Sequence, residues 1–261
     1  MKKLVVIYIL ILLITFSCTT QKKLTYLYNL PETTEPQHFP YEIPLYRVQY
    51  KDILYVDIKM LNTEGKIENI LSGANVYGQT YMQGEANQYL AGYPVDKEGN
   101  IQLPVFGKIN VSGKTLPEIR QMIQSKVDSV YRYAYTDVKL LSFRFTVLGE
   151  ARNPGSFSNY NDYLTVFEAI GRAGGVGDYG RRDRVLVVRT TPEGTVTYRV
   201  NLQDKNLLTS PAYFLMPNDV IIVEPEKHKI FNMNLPTISF AITTVSSAIT
   251  TTLLLINYFK K

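Results

Sequence analysis

Residues 93–119 read YPVDKEGNIQLPVFGKINVSGKTLPEI and contain the strongest local signals in the chain. Asp96 and Gly99 suit the two ends of a type I turn, so residues 93–104 are predicted to form a hairpin. Thr115 then begins a T-x-x-E capping box, in which two side chains satisfy free backbone amides at a helix start. The stretch therefore predicts a strand pair followed by a helix.

The flanking residues extend this stretch to a domain over residues 41–143. Leu54, Val56 and Ile58 alternate with other residues, which is the period of a half-buried strand. After the capping box, apolar residues recur at helical spacing, at Leu116, Ile119, Ile123, Val127 and Val130. A strand over residues 137–143 is expected to close this α+β unit.

A second α+β unit is predicted over residues 144–224. Its central helix should begin at a second capping box, at Thr165, and end at Gly174 and Gly175, where glycine permits a left-handed cap. The strands are predicted over residues 145–150, 184–189, 195–202 and 220–223.

The first unit resembles the polysaccharide-export domain of the outer-membrane polysaccharide export family, the Wza-like lipoproteins. The matching stretches are YRVQYKDILYVDI at 46–58 and the stretch at 93–119. Lys51 is a departure, since the family usually has glycine before the aspartate. The resemblance implies a polysaccharide-export domain at 41–143.

The second unit resembles an SLBB domain, which is β-grasp-like. The matches are VLGEARNPGSF at 147–157, LTVFEAIGRAGGV at 164–176 and LMPNDVIIV at 215–223. Larger members of the family carry two SLBB copies, whereas one fits here, at 144–224. The implied fold class is α+β, with these two domains and a C-terminal transmembrane helix.

Residues 235–259 carry no charge and follow a predicted linker at 225–234. As a helix they would extend about 37 Å, enough to cross a bilayer. At helical spacing one face is polar, and the residues predicted to line a pore are Ser239, Thr243, Ser246, Ser247, Thr250 and Asn257. The opposite face is apolar, with Ile242, Val245, Ile249, Leu253 and Ile256.

Two interpretations of this amphipathic helix remain open. It either joins a ring of helices around an aqueous pore, as the resemblance implies, or forms a single anchor whose hydroxyls bond their own backbone. The terminal Lys260 and Lys261 fit the cytoplasmic side of an inner membrane or the surface of an outer membrane equally well.

The N-terminus has the pattern of a signal peptide over residues 1–17, with two lysines and then a short apolar run. Cys18 is the only cysteine and is the expected lipidation site, which would make residues 18–40 a lipidated tether. The alternative is that Cys18 is an ordinary residue of a cleaved leader.

Tyrosines and amide side chains alternate in the polar part of the first unit. Aromatic faces and amides are the groups that contact neutral sugar rings. Four of the twenty tyrosines are candidates for sugar contact, namely Tyr77, Tyr81, Tyr89 and Tyr93. The alternative is a surface loop or a subunit contact, where tyrosine is also favoured.

Composition argues against several function classes. The net charge of +5 is mild and argues against nucleic-acid binding. Two histidines and one cysteine make a Cys/His metal site improbable. The sequence has no catalytic Ser/His/Asp set and no phosphate loop, so no enzyme and no cofactor is expected.

The charged residues 181–184 are interpreted as a solvated loop or a protein contact.

The resulting functional prediction is an oligomeric outer-membrane channel that exports capsular or exopolysaccharide, with its body in the periplasm. The implied partners are further copies in a homo-oligomeric ring, the polysaccharide, an inner-membrane polysaccharide copolymerase and outer-membrane lipid. The alternative is a non-conducting, membrane-anchored scaffold that recruits a polysaccharide biosynthesis complex.

Overall fold

A computed structural model describes residues 24–62, 64–71 and 92–259 of the chain. The predicted signal peptide and Cys18 lie outside the described residues. The same holds for three of the candidate sugar-contact tyrosines, Tyr77, Tyr81 and Tyr89.

Within its described residues, the first domain contains one antiparallel sheet, one separate hairpin and one helix. Its strands are β1 (Ile53–Leu61), β2 (Ile67–Asn69), β3 (Tyr93–Pro94), β4 (Asn100–Leu103), β5 (Gly107–Asn110) and β6 (Ala134–Leu140). Strand β1 pairs with β2, β3 and β6, while β4 pairs with β5. Helix α1 (Leu116–Asp128) packs on β6. The alternating residues predicted for β1 are its buried side.

The hairpin prediction for residues 93–104 is wrong in its strand pairing. The turn itself is present, because Gly99 N donates to Asp96 O at 3.0 Å and Gly99 has a φ of +81°. However, β3 pairs with β1, and the hairpin is formed by β4 and β5. This pairing buries Ile101 and Ile109, one on each strand, in the same core.

The capping box of α1 is confirmed. Thr115 N donates to the Glu118 carboxylate at 2.7 Å, and Glu118 N donates back to Thr115 Oγ1 at 3.5 Å. The helix ends at Asp128, so Val130 lies beyond it and is exposed rather than part of the apolar stripe. Strand β6 begins three residues before the predicted strand.

The second domain is a five-stranded sheet in the order β10-β9-β11-β7-β8. Its strands are β7 (Arg144–Gly149), β8 (Gly155–Ser158), β9 (Gly180–Thr191), β10 (Gly194–Val200) and β11 (Val220–Pro225). Helix α2 (Val166–Arg172) begins at the predicted capping box, which is confirmed. The first and last strands, β7 and β11, are parallel neighbours.

A buried ion pair connects β9 to the turn that leads into β11. The Asp219 side chain is fully buried and accepts a hydrogen bond from Arg189 Nη2 at 2.8 Å. Arg189 also donates to the Phe214 carbonyl at 2.9 Å, and Asp219 accepts from Met216 N at 2.8 Å. Burial raises the pKa of Asp219. The hydrogen bonds from Arg189 and Met216 N lower this pKa but do not cancel the effect of burial. The pair is tolerated because each charge keeps several partners.

The C-terminal helix α3 spans Lys227–Phe259, 33 residues. It therefore begins earlier than predicted and includes most of the expected linker at 225–234, which contains no helix breaker after Pro225. Lys229 pairs with Glu150, so the first turn of α3 is fixed to the second domain. Pro236 lies inside the helix.

Part of the predicted tether at 18–40 docks on the second domain. Leu27 N donates to Leu202 O at 3.1 Å, and Asn29 Nδ2 donates to the Asp204 carboxylate at 2.9 Å. Lys205 N donates in return to Asn29 Oδ1 at 2.8 Å. Residues 26–29 are therefore held by contacts far away in the sequence rather than forming a free tether.

Candidate functional site

The C-terminal helix is the candidate membrane segment. Residues Ser239–Ile256 are long and apolar enough, by length and composition, to cross a bilayer. None of the side chains that are described in this stretch packs against the rest of the chain. A helix this apolar and exposed requires either lipid or other helices around it.

The threonine hydroxyls whose side chains are described in this helix donate to backbone carbonyls of the same helix. Thr243 Oγ1 donates to Ser239 O at 2.9 Å, and Thr250 Oγ1 donates to Ser246 O at 2.8 Å. Thr252, on the apolar face, does the same with Ala248 O at 2.7 Å. Since the hydroxyl protons are satisfied within the helix, these residues tolerate lipid, and their oxygens still accept hydrogen bonds on a wet face.

The predicted pore-lining residues occupy one side of α3 by helical spacing. Ser239, Thr243, Ser246, Ser247 and Thr250 are all exposed. The side chain of Asn257 lies outside the described part of the structure. The geometry is compatible with the pore-lining and the single-anchor interpretations alike.

Tyr93, one of the four predicted sugar-contact residues, is buried and is therefore poorly placed to contact a sugar. It is 9% exposed, lies in the core of the first domain and stands opposite Leu54 in the β1–β3 pair. The register with β1 turns its ring inward, which sequence alternation around an isolated tyrosine could not reveal.

Residues 181–184, predicted as a loop or a contact, lie at the start of β9. The Arg182 guanidinium lies 5.5 Å from the ring centroid of Tyr26, in the docked N-terminal segment. Arg181 pairs with Asp183, which lowers the pKa of that carboxyl. The cluster thus joins the sheet to the N-terminal segment.

A cleft of about 700 Å³ lies between the two domains and was not predicted from the sequence. We call it the interdomain cleft. One wall belongs to the first domain, including the segment before β1, with Leu45, Leu116, Arg120 and Lys139. The other wall belongs to the second domain, with Tyr160, Asn161, Asp162, Tyr163 and Phe214. The stretch NYNDY at 159–163 is the sequence feature that could have indicated this cleft. The residues of the opposite wall are far from it in the chain, so the sequence did not bring the two together.

The second-domain wall is held rigidly by Asn159, which is 1% exposed. Asn159 N donates to Phe143 O at 2.7 Å, and its side chain donates to Asn161 O at 2.7 Å. Arg172, at the end of α2, donates to Asn159 Oδ1 at 3.0 Å. These bonds fix the backbone that presents Tyr160 to the cleft.

Asp52 is a buried carboxylate with a structural role. It accepts hydrogen bonds from the Tyr46 hydroxyl at 2.7 Å, from Gln49 N at 2.8 Å and from Ser142 Oγ at 3.1 Å. It thereby ties the entry of β1 to the end of the first domain. Burial raises the pKa of Asp52, although the three donors lower it in part.

Within residues 24–62, 64–71 and 92–259, no three His, Cys, Asp or Glu side chains converge on a position that could hold a metal ion.

Comparison with known proteins matches both domains. Residues 41–141 match the model of the polysaccharide biosynthesis/export protein family, and residues 144–200 match that of the SLBB domain. The two matches adjoin and together span more than half of the chain. This pair of adjoining domains is the basis of the family assignment. The chain belongs to the Wza-like polysaccharide export family.

Two curated relatives carry the name EPS I polysaccharide export outer membrane protein EpsA. The protein from Ralstonia nicotianae is 32% identical over 148 residues, which are 54% of this chain and 38% of the relative. The protein from Ralstonia solanacearum is 30% identical over 166 residues, 59% of this chain and 44% of the relative. The matched region thus spans less than half the length of these relatives.

Proposed function

We propose that this protein is an outer-membrane component of a polysaccharide exporter. The observation that carries the proposal is the order of its parts: a polysaccharide-export domain, an SLBB domain and then a long exposed apolar helix. The outer membrane is proposed because both relatives are named as outer-membrane proteins. The folded body would lie in the periplasm.

Both proposed membrane anchors leave from the second domain. The docked Tyr26 contacts Arg182 on β9, and Gly180 of the same strand pairs with Pro225, just before α3. A lipid on Cys18 and the helix α3 would therefore enter one membrane side by side. The parallel central pair of β7 and β11 supports the β-grasp-like assignment of this domain.

The channel itself would be a ring of α3 helices in a homo-oligomer. Each helix satisfies its own backbone, so a ring of them crosses a bilayer without an open sheet edge. Thr243 and Thr250 would turn hydroxyl oxygens toward the lumen, along which a hydrated glycan slides without tight binding. The proposed conduit is passive, with no catalytic role and no cofactor, and an inner-membrane copolymerase would deliver the polymer.

A membrane-anchored scaffold is the second candidate. It is favoured by the intrahelical bond of Thr252, which shows that hydroxyls on the apolar face are also satisfied without a lumen. A single α3 surrounded by lipid would then anchor a body that recruits a biosynthesis complex.

Electron microscopy of the mature protein in mild detergent, combined with mass determination, distinguishes the two candidates. A closed ring with a central channel supports the exporter, whereas a monomer with and without the copolymerase supports the scaffold. Mass spectrometry of the same sample tests for lipid on Cys18. Deletion of the gene is expected to abolish surface polysaccharide, and unchanged surface polysaccharide would contradict both candidates.

A further inference from the structure

We propose that the interdomain cleft binds a short segment of the glycan that passes through the exporter. The proposal rests on the proposed export function and assigns to it a specific carbohydrate site outside the membrane. The cleft of about 700 Å³ is large enough for a few sugar rings. Its occupant is inferred from the chemistry of its walls.

A sugar ring has an apolar face of C–H groups and an edge of hydroxyl groups. It is therefore recognised by flat aromatic surfaces next to amide and carboxylate groups. In the cleft, Tyr160 is 73% exposed and Tyr163 is 46% exposed. Asn161 and Asp162 lie between them in the chain and line the same wall. One short loop thus supplies both kinds of surface.

The wall is organised before any ligand arrives. Asn159 is buried beneath the loop and donates to the carbonyl oxygen of Asn161 at 2.7 Å, while Arg172 holds the Asn159 side chain at 3.0 Å. Tyr163 is braced by Phe214, whose ring lies edge-on at a centroid distance of 5.9 Å. Exposed aromatic residues on a fixed loop bind with little loss of conformational entropy.

The facing wall adds fixed hydrogen-bond donors. Arg120 projects from α1, its side chain is 43% exposed, and Asp137 holds its guanidinium at 3.2 Å. Lys139, on the neighbouring strand, also lines the cleft and pairs with Asp137 at 3.4 Å. Donors on one wall and acceptors on the other suit the hydroxyls of a neutral glycan, each of which donates and accepts.

Titration of the full-length mature protein in detergent tests this proposal. The probe is a set of short oligosaccharides released from the extracellular polysaccharide of the strain that carries the gene. Calorimetry and saturation-transfer NMR should show binding to the native protein, and Tyr160→Ala should weaken it by about tenfold, the loss of one good contact. Asn161→Ala, which keeps the aromatic surface, should weaken binding to a smaller extent.

Tyr135→Ala is the matched control, since Tyr135 is 62% exposed and lies outside the cleft. It should leave affinity unchanged. The proposal is overturned if the native protein does not bind the oligosaccharides, or if Tyr160→Ala binds them equally well. A change of oligomer mass in Tyr160→Ala would also overturn it, because the cleft would then be a subunit interface.

Gene deletion and Tyr160→Ala in the same strain distinguish a failure of this proposal from a failure of the export function on which it rests. If gene deletion abolishes surface polysaccharide while Tyr160→Ala binds normally, the cleft proposal alone fails. If deletion leaves surface polysaccharide unchanged, the export function fails. Reduced surface polysaccharide with Tyr160→Ala, at normal protein level and oligomer mass, supports both.

Discussion

Tyr26 packs edge-on against Phe167 of the second domain, with the two ring centroids 6.0 Å apart. This contact fixes the N-terminal segment to the same domain from which α3 departs. A lipid on Cys18 would thus be followed, after a short stretch, by docked chain. With such a lipid in a membrane, the docking would restrict how far the body can swing from that membrane.

The docked segment should be released by Asn29→Ala. Asn29 donates to Asp204 and accepts from Lys205 N, so the change removes two hydrogen bonds. We expect amide hydrogen exchange of residues 24–30 to accelerate by about thirtyfold, since the two bonds together contribute about 2 kcal/mol. Asn110→Ala, which loses two exposed side-chain bonds within the first domain, should leave this exchange unchanged. If residues 24–30 exchange at the same rate in the Asn29 variant as in the native protein, the docking is contradicted.

Gly149→Ala should destabilise the second domain. Gly149 has a φ of +81°, and a Cβ there would lie 2.2 Å from the Val223 carbonyl oxygen. Because that oxygen belongs to the neighbouring strand β11, the strands would have to separate. We expect the free energy of unfolding in urea to fall by about 3 kcal/mol.

The matched control for this change is Gly171→Ala. Gly171 lies in helix α2, and apart from its chain neighbours and the backbone of its own helix no atom lies within 4 Å of the added Cβ. Alanine there should raise the free energy of unfolding by up to about 1 kcal/mol. A similar loss at both glycines would show that backbone proximity at Gly149 is not the cause.

Replacement of Thr243, Ser247 and Thr250 by leucine should abolish polysaccharide export if α3 lines a pore. The change makes the polar face apolar, so water would leave the lumen, whereas a lipid-facing anchor would tolerate it. The control is a leucine triple on the opposite face, Ile242→Leu, Val245→Leu and Ile249→Leu, which should export normally. Surface polysaccharide is the measurement, and normal export by the first triple would favour the scaffold.

The stabilising effect of Asp52 should depend on pH. Burial raises the pKa of Asp52 above its ordinary value of 3.8, so the folded state holds the proton more tightly than the unfolded state. The resulting contribution to stability is fully present below pH 3.8 and is lost as the pH rises through the pKa of Asp52 in the folded state. The free energy of unfolding of the native protein minus that of Asp52→Asn should therefore fall as the pH rises from 3.8 toward neutrality.

Asp183 provides a control of opposite sign. Its pKa is lowered by Arg181, so its contribution is present above 3.8 and is lost as the pH falls through the folded pKa. The free energy of unfolding of the native protein minus that of Asp183→Asn should fall as the pH is lowered. Urea titrations at several pH values measure both differences, and the same trend in both variants would contradict the assignment.

The sequence alone predicted the features that depend on near neighbours. Both capping boxes join residues three positions apart, and the alternation of Leu54, Val56 and Ile58 follows from the pleat of one strand. The family and its two domains were also evident, because the motifs at 46–58, 93–119 and 147–157 are short and contiguous.

Only the tertiary structure determined which distant residues meet. Asn29 and Asp204 are 175 positions apart, and no local pattern links them. The burial of Tyr93 follows from its register with β1. The interdomain cleft results from the packing of the two domains around Leu140, which contacts both cores. Local hydrogen bonding and periodicity are encoded within a few residues, whereas pairing, docking and clefts arise from the burial of surfaces brought together by the whole chain.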